Sequence, residues 1–177
     1  MSAMALQLVI IERDGVINER VPGSVTTPEL LNPLAGSLEA IARLNHAGMR
    51  VAVSVTHPET GTTDLPIETL NRIHARLQQL LARRGGHLDG LFIHNSATGS
   101  PAGNSPVREL LQDIAGRFSI PLEQTAFVSG DPHLLACAQA DGATAILVQT
   151  GPTHTADLNN LKTAADLMAA ADEIIRT

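Results

Sequence analysis

Two acidic residues one position apart, Glu12 and Asp14, follow an apolar run of Leu, Val and Ile and precede Gly15. Such a run is typical of a buried parallel strand, in which side chains alternate with period two, so both carboxylates lie on one side. Gly15 permits a sharp backbone turn immediately afterwards. Ligands of open α/β sheets bind beyond the carboxyl ends of the strands, so the sequence predicts two carboxylates at the mouth of a site. The alternative is a polar strand end whose acids are only solvated.

The elements that would position this pair alternate between apolar strands and amphipathic helices, which predicts a parallel sheet built from βαβ units. Predicted helices cover Ser37–Ala47, Ile67–Arg84, Ser105–Phe118 and Pro132–Ala140; predicted strands cover Arg50–Val55, Gly90–Ile93, Thr125–Ser129 and Thr144–Gln149. The last dozen residues are expected to be helical after a short edge strand near Leu167, and Asn18–Pro33 and Asn95–Asn104 are expected to be loops.

Composition limits the functions that the chain can have. Its 177 residues predict one domain over residues 1–177, and 44% hydrophobic against 17% charged residues indicates a folded protein. A net charge of −6, with three Phe and no Trp or Tyr, argues against a nucleic-acid partner. The single Cys excludes an internal disulfide and a cysteine-based zinc site. The first apolar run is too short to span a bilayer, so no membrane partner and a cytoplasmic location are expected.

Residues 6–152 resemble the haloacid dehalogenase (HAD) superfamily, and the motif RDGVIN resembles that of its D,D-heptose 1,7-bisphosphate phosphatase and histidinol-phosphatase group. The resemblance implies a Rossmann-like three-layer α/β sandwich with a mostly parallel central sheet and a minimal cap. It also implies two catalytic residues: Glu12 stands at the position of the nucleophile, normally Asp, and Asp14 at that of the general acid/base. The longer Glu side chain moves its oxygens by about an ångström, which can slow attack on phosphorus on the order of a hundredfold.

Two further positions of the resemblance would bind phosphate. VAVSVTHPETG is similar to the family's VVVTNQSG and places Thr56 at the hydroxyl that hydrogen-bonds the phosphoryl group; the alternative is a Thr that caps a strand. TGSPAGNSPV stands where the family reads CRKPHPGM, so Ser100 replaces the Lys that neutralises the phosphate. No Lys occurs between Met1 and Asn160, and a substitute cation would be Arg13, Arg108 or a histidine.

The last motif concerns metal. FVSGDPHLLACAQA resembles the family's fourth motif and implies that Asp131, together with Glu12 and the Asp14 carbonyl, holds Mg²⁺. The family's second acid in this motif is Leu135 here. The alternative for Asp131 is a helix N-cap. The segment IHNSATGSPAGN contains no cysteine, so no zinc is expected.

Three positions therefore depart from the phosphatase pattern: Glu12, Ser100 and Leu135. The leading prediction is a catalytically impaired phosphatase homologue, not an enzyme, that binds a phosphorylated small molecule or a protein partner. The alternative is an active Mg²⁺-dependent phosphatase that hydrolyses a sugar phosphate such as a heptose bisphosphate, with its cationic groups relocated. A third interpretation, a receiver-like signalling domain, lacks both a phosphoacceptor Asp and a Lys.

Overall fold

One parallel sheet of six strands organises the computed structural model, which describes residues 5–57, 65–95, 106–149 and 160–177. Its strands are β1 (Leu8–Glu12), β2 (Arg50–His57), β3 (Gly90–Asn95), β4 (Thr125–Ser129), β5 (Thr144–Val148) and β6 (Lys162–Ala164). Their order in the sheet is β3-β2-β1-β4-β5-β6, and each pair of neighbours is parallel. All five residues of β1 are buried, as expected for a central strand that is covered on both faces.

Helices cover both faces of the sheet: α1 (Ser37–His46), α2 (Ile67–Ala82), α3 (Pro106–Phe118), α4 (Pro132–Ala140) and α5 (Leu167–Arg176). Alternate strand residues enter two separate cores. Val9 and Ile11 of β1 pack with buried residues of α1, α2 and α5, whereas Leu8 and Ile10 pack with those of α3 and α4. The predicted three-layer α/β sandwich with a parallel sheet is confirmed.

The strand order has a reversal between β1 and β4. The chain proceeds outward from β1 to β2 and β3, then returns to place β4 on the other side of β1 and continues to β5 and β6. The connections that leave the carboxyl ends of β1 and β4 therefore run to opposite sides of the sheet and open a crevice between these two ends, which is the usual ligand position in such folds. Glu12 ends β1 there, in register with Ser54 of β2.

The C-terminal end of the chain has the predicted elements, a short edge strand followed by a helix over the last dozen residues. The edge strand is Lys162–Ala164, three residues before Leu167, near which it was expected, and Leu167 begins α5. The Asp166 carboxylate accepts a hydrogen bond of 2.8 Å from the Ala169 amide and caps the helix, while Leu167 is buried beneath it. The buried side chain of Leu167 thus belongs to the inner face of the predicted C-terminal helix.

Between β1 and α1 the chain forms the first predicted loop, which contains a short 3₁₀ helix at Pro28–Leu30. Asn18 anchors the start of this loop: it is fully buried, and its side-chain amide donates to the Glu19 carbonyl at 2.9 Å. Within the described residues, no helix combines the length and apolar character that a membrane crossing requires.

Candidate active site

Glu12 lies in the crevice between β1 and β4 with only 7% of its surface exposed. Its Oε2 accepts a hydrogen bond of 2.6 Å from the Ser129 hydroxyl and one of 3.3 Å from the Gly130 amide. Ser129 Oγ in turn accepts from the Asp131 amide at 3.0 Å. This short chain of hydrogen bonds joins the end of β1 to the end of β4 and holds the Glu12 carboxylate in one position.

Burial raises the pKa of the Glu12 carboxyl above its ordinary value of 4.5, because the charged form loses hydration. The hydrogen bond from Ser129 and the positive charge of Arg20 act in the opposite direction, and the negative charge of Asp131 adds to the rise. Two carboxylates that repel each other in this way would both be stabilised by a cation between them.

Asp14 points to a different partner. Arg13, which is 4% exposed, donates from Nε to Asp14 Oδ1 and from Nη2 to Oδ2, both at 2.9 Å. This bidentate pair holds the Asp14 carboxylate in a fixed plane and occupies both of its oxygens from one side. Arg13 was a candidate replacement for the missing Lys, but its guanidinium is committed to Asp14.

Asp131 is the N-cap of α4, the alternative role considered for it. Its Oδ1 accepts from the His133 amide at 2.8 Å and from the Leu134 amide at 3.4 Å. A carboxylate has a second oxygen, so capping and metal binding are compatible. Across the described ranges, no group of three His, Cys, Asp or Glu side chains is placed to hold a metal ion. A hexacoordinate ion would therefore need the Asp14 carbonyl and water besides Glu12 and Asp131, as Mg²⁺ commonly does.

Thr56, at the end of β2, lies beside His94 of β3, with which it is in register. Thr56 Oγ1 and His94 Nε2 are 3.3 Å apart. Burial lowers the pKa of His94 below 6.5, so the imidazole is neutral at pH 7 and can exchange a hydrogen bond with the hydroxyl. Ser100, the other predicted phosphate-binding residue, lies outside the described residues. Leu135, at the position of the family's second acid, is fully buried in the core beside α3.

Arg20 is a residue of this edge that the sequence analysis missed. A Cβ atom built on Gly15 would lie 2.6 Å from its Nε, and one built on Gly130 would lie 3.5 Å from its Nη2. The guanidinium is therefore near the turns that follow β1 and β4, and its charge acts on Glu12. It supplies positive charge to a site for which the sequence had offered only Arg13, Arg108 or a histidine.

Two sequence signals could have found these neighbours. Gly15, with φ of +90°, reverses the chain directly after the strand, so residues a few positions later return to the strand end. Period-two alternation puts Ser129 two positions from the buried Phe127 and therefore on the same face of β4. Either signal identifies Arg20 or Ser129 as a neighbour of Glu12 only once β1 and β4 are known to lie side by side.

A surface cavity of about 420 Å³ lies elsewhere, at the β6 edge of the sheet. It is lined by residues of β6 and α5, including Lys162, Glu173 and Arg176. Lys162 Nζ is 3.2 Å from Glu173 Oε1, so the one Lys of the sequence is paired there. None of the predicted site residues lines this cavity, and the candidate site is the polar crevice between β1 and β4.

Comparison with known proteins identifies relatives along nearly the whole chain, although no family model matches it. The chain is 36% identical over 148 residues to D-glycero-β-D-manno-heptose-1,7-bisphosphate 7-phosphatase of Pseudomonas putida, covering 82% of this chain and 84% of the relative. The protein of the same name from Bordetella bronchiseptica is 31% identical over 185 residues, covering 97% and 99%. A crystal structure of D,D-heptose 1,7-bisphosphate phosphatase from B. bronchiseptica, complexed with magnesium and phosphate, superposes with a TM-score of 0.80 at 28% identity, covering 97% of this chain and 99% of that one.

The leading prediction, an impaired homologue that is not an enzyme, is therefore wrong, because relatives that match most of the chain are named phosphatases. That prediction treated each departure from the motifs as a loss of function. It assumed that positive charge had to come from the motif position of Ser100 or from the three kinds of residue then considered. The structure brings Arg20 to the same edge from the loop after Gly15, and the alternative prediction of an active phosphatase fits the findings better.

Proposed function

The chain belongs to the heptose bisphosphate phosphatase group of the HAD superfamily, and on this premise we propose that it is a Mg²⁺-dependent phosphatase of a phosphorylated sugar. The observation that carries the proposal is the meeting of the Glu12 and Asp131 carboxylates with Arg20 in the crevice between β1 and β4. The substrate class follows from the relatives, whose names specify the 7-phosphate of a heptose 1,7-bisphosphate.

Glu12 is the proposed nucleophile. One of its carboxylate oxygens attacks the phosphorus atom, the bond from phosphorus to the sugar oxygen breaks, and a covalent glutamyl phosphate forms. The hydrogen bonds from Ser129 and the Gly130 amide fix Oε2, which holds the carboxylate so that its other oxygen can be presented to the substrate. The longer side chain is compatible with attack when its position is held in this way.

Asp14 is the proposed general acid and base. As the first bond breaks, its protonated carboxyl gives a proton to the departing sugar oxygen. The resulting carboxylate then takes a proton from the water that attacks the glutamyl phosphate, which releases inorganic phosphate and restores Glu12. The bidentate contact with Arg13 orients the Asp14 carboxylate for both transfers.

Three groups are proposed to hold Mg²⁺: the Glu12 and Asp131 carboxylates and the Asp14 carbonyl. Bound there, the ion would neutralise charge on the transferring phosphoryl group. Thr56 is the proposed hydrogen-bond donor to that group, together with Ser100. We expect this activity in the cytoplasm, as the sequence predicts, which cell fractionation would check.

The test is a phosphate-release assay of the wild type with D-glycero-β-D-manno-heptose 1,7-bisphosphate, fructose 1,6-bisphosphate and p-nitrophenyl phosphate, each with Mg²⁺ and with EDTA. We expect Mg²⁺-dependent release that is fastest with the heptose bisphosphate and about 10²- to 10⁴-fold slower in Asp14→Asn. The Arg43→Gln variant, whose change lies at the far end of α1, should keep wild-type activity. Absence of Mg²⁺-dependent release from all three compounds would contradict the proposal.

A further inference from the structure

We propose that Arg20 binds the phosphoryl group of the ligand, and so does the work of a Lys at the motif position that Ser100 occupies. This inference rests on the proposed function for the identity of the ligand, a phosphomonoester. The choice of Arg20 as the binding residue has three grounds: the position of its guanidinium, the backbone geometry that brings it there, and the carboxylate partners that other cationic side chains already have.

The position is defined by two glycines. The 2.6 Å between Arg20 Nε and a Cβ built on Gly15 is closer than real Cβ atoms approach, so the guanidinium lies directly against the Gly15 backbone. Nη2 reaches the second turn, where a Cβ on Gly130 would lie at 3.5 Å. The guanidinium therefore spans the space between the carboxyl ends of β1 and β4, the crevice in which ligands of such sheets bind.

The backbone that carries Arg20 is held in place. The amide of Gly15 donates to the Asn18 carbonyl at 2.7 Å, and the amide of Asn18 donates to the Arg13 carbonyl at 2.9 Å. The amide of Glu19 donates to the Asn32 carbonyl at 3.1 Å. This tight turn brings the chain back to the strand end, so the direction in which Arg20 leaves the backbone is set by the fold.

The two arginines that the sequence analysis considered as substitutes, and the single Lys of the chain, are already paired with carboxylates. Arg13 forms the buried bidentate pair with Asp14. Arg108 Nη2 lies 2.6 Å from Asp141 Oδ1, and Lys162 pairs with Glu173 on α5. Arg20, by contrast, is an exposed residue at the crevice, so a ligand in solution can reach it.

The chemistry suits a phosphate. A guanidinium presents parallel N–H donors that match two oxygens of a phosphoryl group, and its charge is kept at any physiological pH. Arg20 also lies close enough to Glu12 to favour the ionised carboxylate. One side chain would thus stabilise both the attacking group and the group that is attacked, which otherwise repel each other.

The experiment measures binding separately from turnover. Inorganic phosphate is titrated by calorimetry, in the presence of Mg²⁺, into the wild type, Arg20→Gln, Arg20→Lys and the control Arg43→Gln. Arg43 is also an exposed arginine, and its partner is Asp172, so its replacement removes the same charge far from the crevice. Thermal unfolding of each variant checks that the fold is intact.

We expect Arg20→Gln to weaken phosphate binding about tenfold to a hundredfold, the loss typical of a hydrogen-bonded charge. Arg20→Lys should recover part of the affinity, because a point charge lacks the two-donor geometry, and Arg43→Gln should bind as the wild type does. For a hydrolysed sugar bisphosphate, KM should rise in the same order.

Two results would overturn the inference: phosphate binding by Arg20→Gln as tight as that of the wild type, or no binding by the wild type. Failure of the proposed function gives a different pattern. If the wild type releases no phosphate from any ester while Arg20→Gln still loses affinity for inorganic phosphate, the role of Arg20 stands and the phosphatase proposal falls.

Discussion

The two halves of the sheet's carboxyl edge are built from different chemistry. Between β1 and β4 the Glu12 carboxylate is nearly inaccessible to solvent and accepts a hydrogen bond from Ser129. The negative charge of Asp131 and the positive charge of Arg20 both act on it. Between β2 and β3, the described groups are the hydroxyl of Thr56 and an imidazole kept neutral by burial, 3.3 Å apart. One half concentrates charge and the other supplies neutral hydrogen bonds.

This difference indicates a division of labour. Charge that is partly removed from water acts strongly on a reacting centre, so the β1 and β4 half is where bonds to phosphorus would form and break. Neutral hydrogen bonds orient a ligand with smaller energies. Substitutions in the first half should therefore change rates by orders of magnitude, and those in the second half should have modest effects.

The largest effect is expected for Glu12→Gln. The amide retains the size of the side chain but is not a nucleophile, so kcat should fall on the order of a thousandfold or more. At neutral pH the variant should also be more stable than the wild type, by about 1 kcal/mol, because a buried charge has been removed. Phosphate release and thermal unfolding measure the two effects, and a variant with wild-type kcat would exclude Glu12 as the nucleophile.

Two substitutions of Asp14 should separate its effect on kcat from its effect on the free energy of unfolding. Asp14→Asn should lower kcat about 10²- to 10⁴-fold through loss of the acid and base, yet keep an acceptor for Arg13. Asp14→Ala should in addition cost about 3 kcal/mol, because it leaves the buried Arg13 guanidinium without its partner.

The control for stability is Asp113→Ala, which breaks the exposed pair with Arg117 and should cost less than about 1 kcal/mol. Urea denaturation measures all three variants. Equal losses for Asp14→Ala and Asp113→Ala would mean that burial does not strengthen the pair of Arg13 with Asp14.

The two glycines beside Arg20 should differ. Gly15→Ala places a Cβ against the guanidinium at a backbone φ of +90°, so we expect a loss of about 2 kcal/mol together with weaker phosphate binding. Gly130→Ala makes only ordinary contacts, the nearest at 3.5 Å, and should change stability by no more than about 0.5 kcal/mol. Calorimetric titration and thermal unfolding of both variants test this. Equal phosphate affinities of the two variants would show that the Gly15 turn does not position Arg20 for binding.

The smallest effects concern the pH dependence of stability. The contributions of Glu12 and His94, one in each half, should change in opposite directions as pH rises. The pKa of Glu12 is raised by folding, so the folded state holds the proton more tightly and its contribution to stability falls as pH rises above 4.5 through the raised value. The pKa of His94 is lowered by burial, so its contribution is lost as pH falls from 6.5 through the lowered value.

Denaturation curves from pH 4 to pH 8 for the wild type, Glu12→Gln and His94→Gln would separate the two contributions. The difference between Glu12→Gln and the wild type should grow with pH, and that between His94→Gln and the wild type should grow in favour of the variant as pH falls. His74, whose pKa burial also lowers, is present in all three proteins and cancels in the differences. If the two stability differences changed with pH in the same direction, the predicted difference between the two halves would be wrong.

Much of the fold could be predicted from local sequence. The strand Thr125–Ser129 and the helix Pro132–Ala140 have the predicted bounds, because β-branched and apolar runs, a proline in the first turn and a capping Asp act within a few residues. The short edge strand was placed less exactly: it lies at Lys162–Ala164, a few residues before Leu167, because these three residues contain no apolar run that would mark a strand.

The sequence by itself determined the α/β class, the order of the elements and the placement of Glu12, Asp14, Thr56 and Asp131 at strand ends, since these follow from periodicity and motif spacing. Only the tertiary structure decided which of their neighbours matter. Ser129 is 117 positions from the Glu12 that it contacts, and Arg20 reaches the crevice through a turn whose direction depends on backbone hydrogen bonds. Electrostatic interactions depend on distances in space and on burial, and both arise only when β4 returns to lie beside β1.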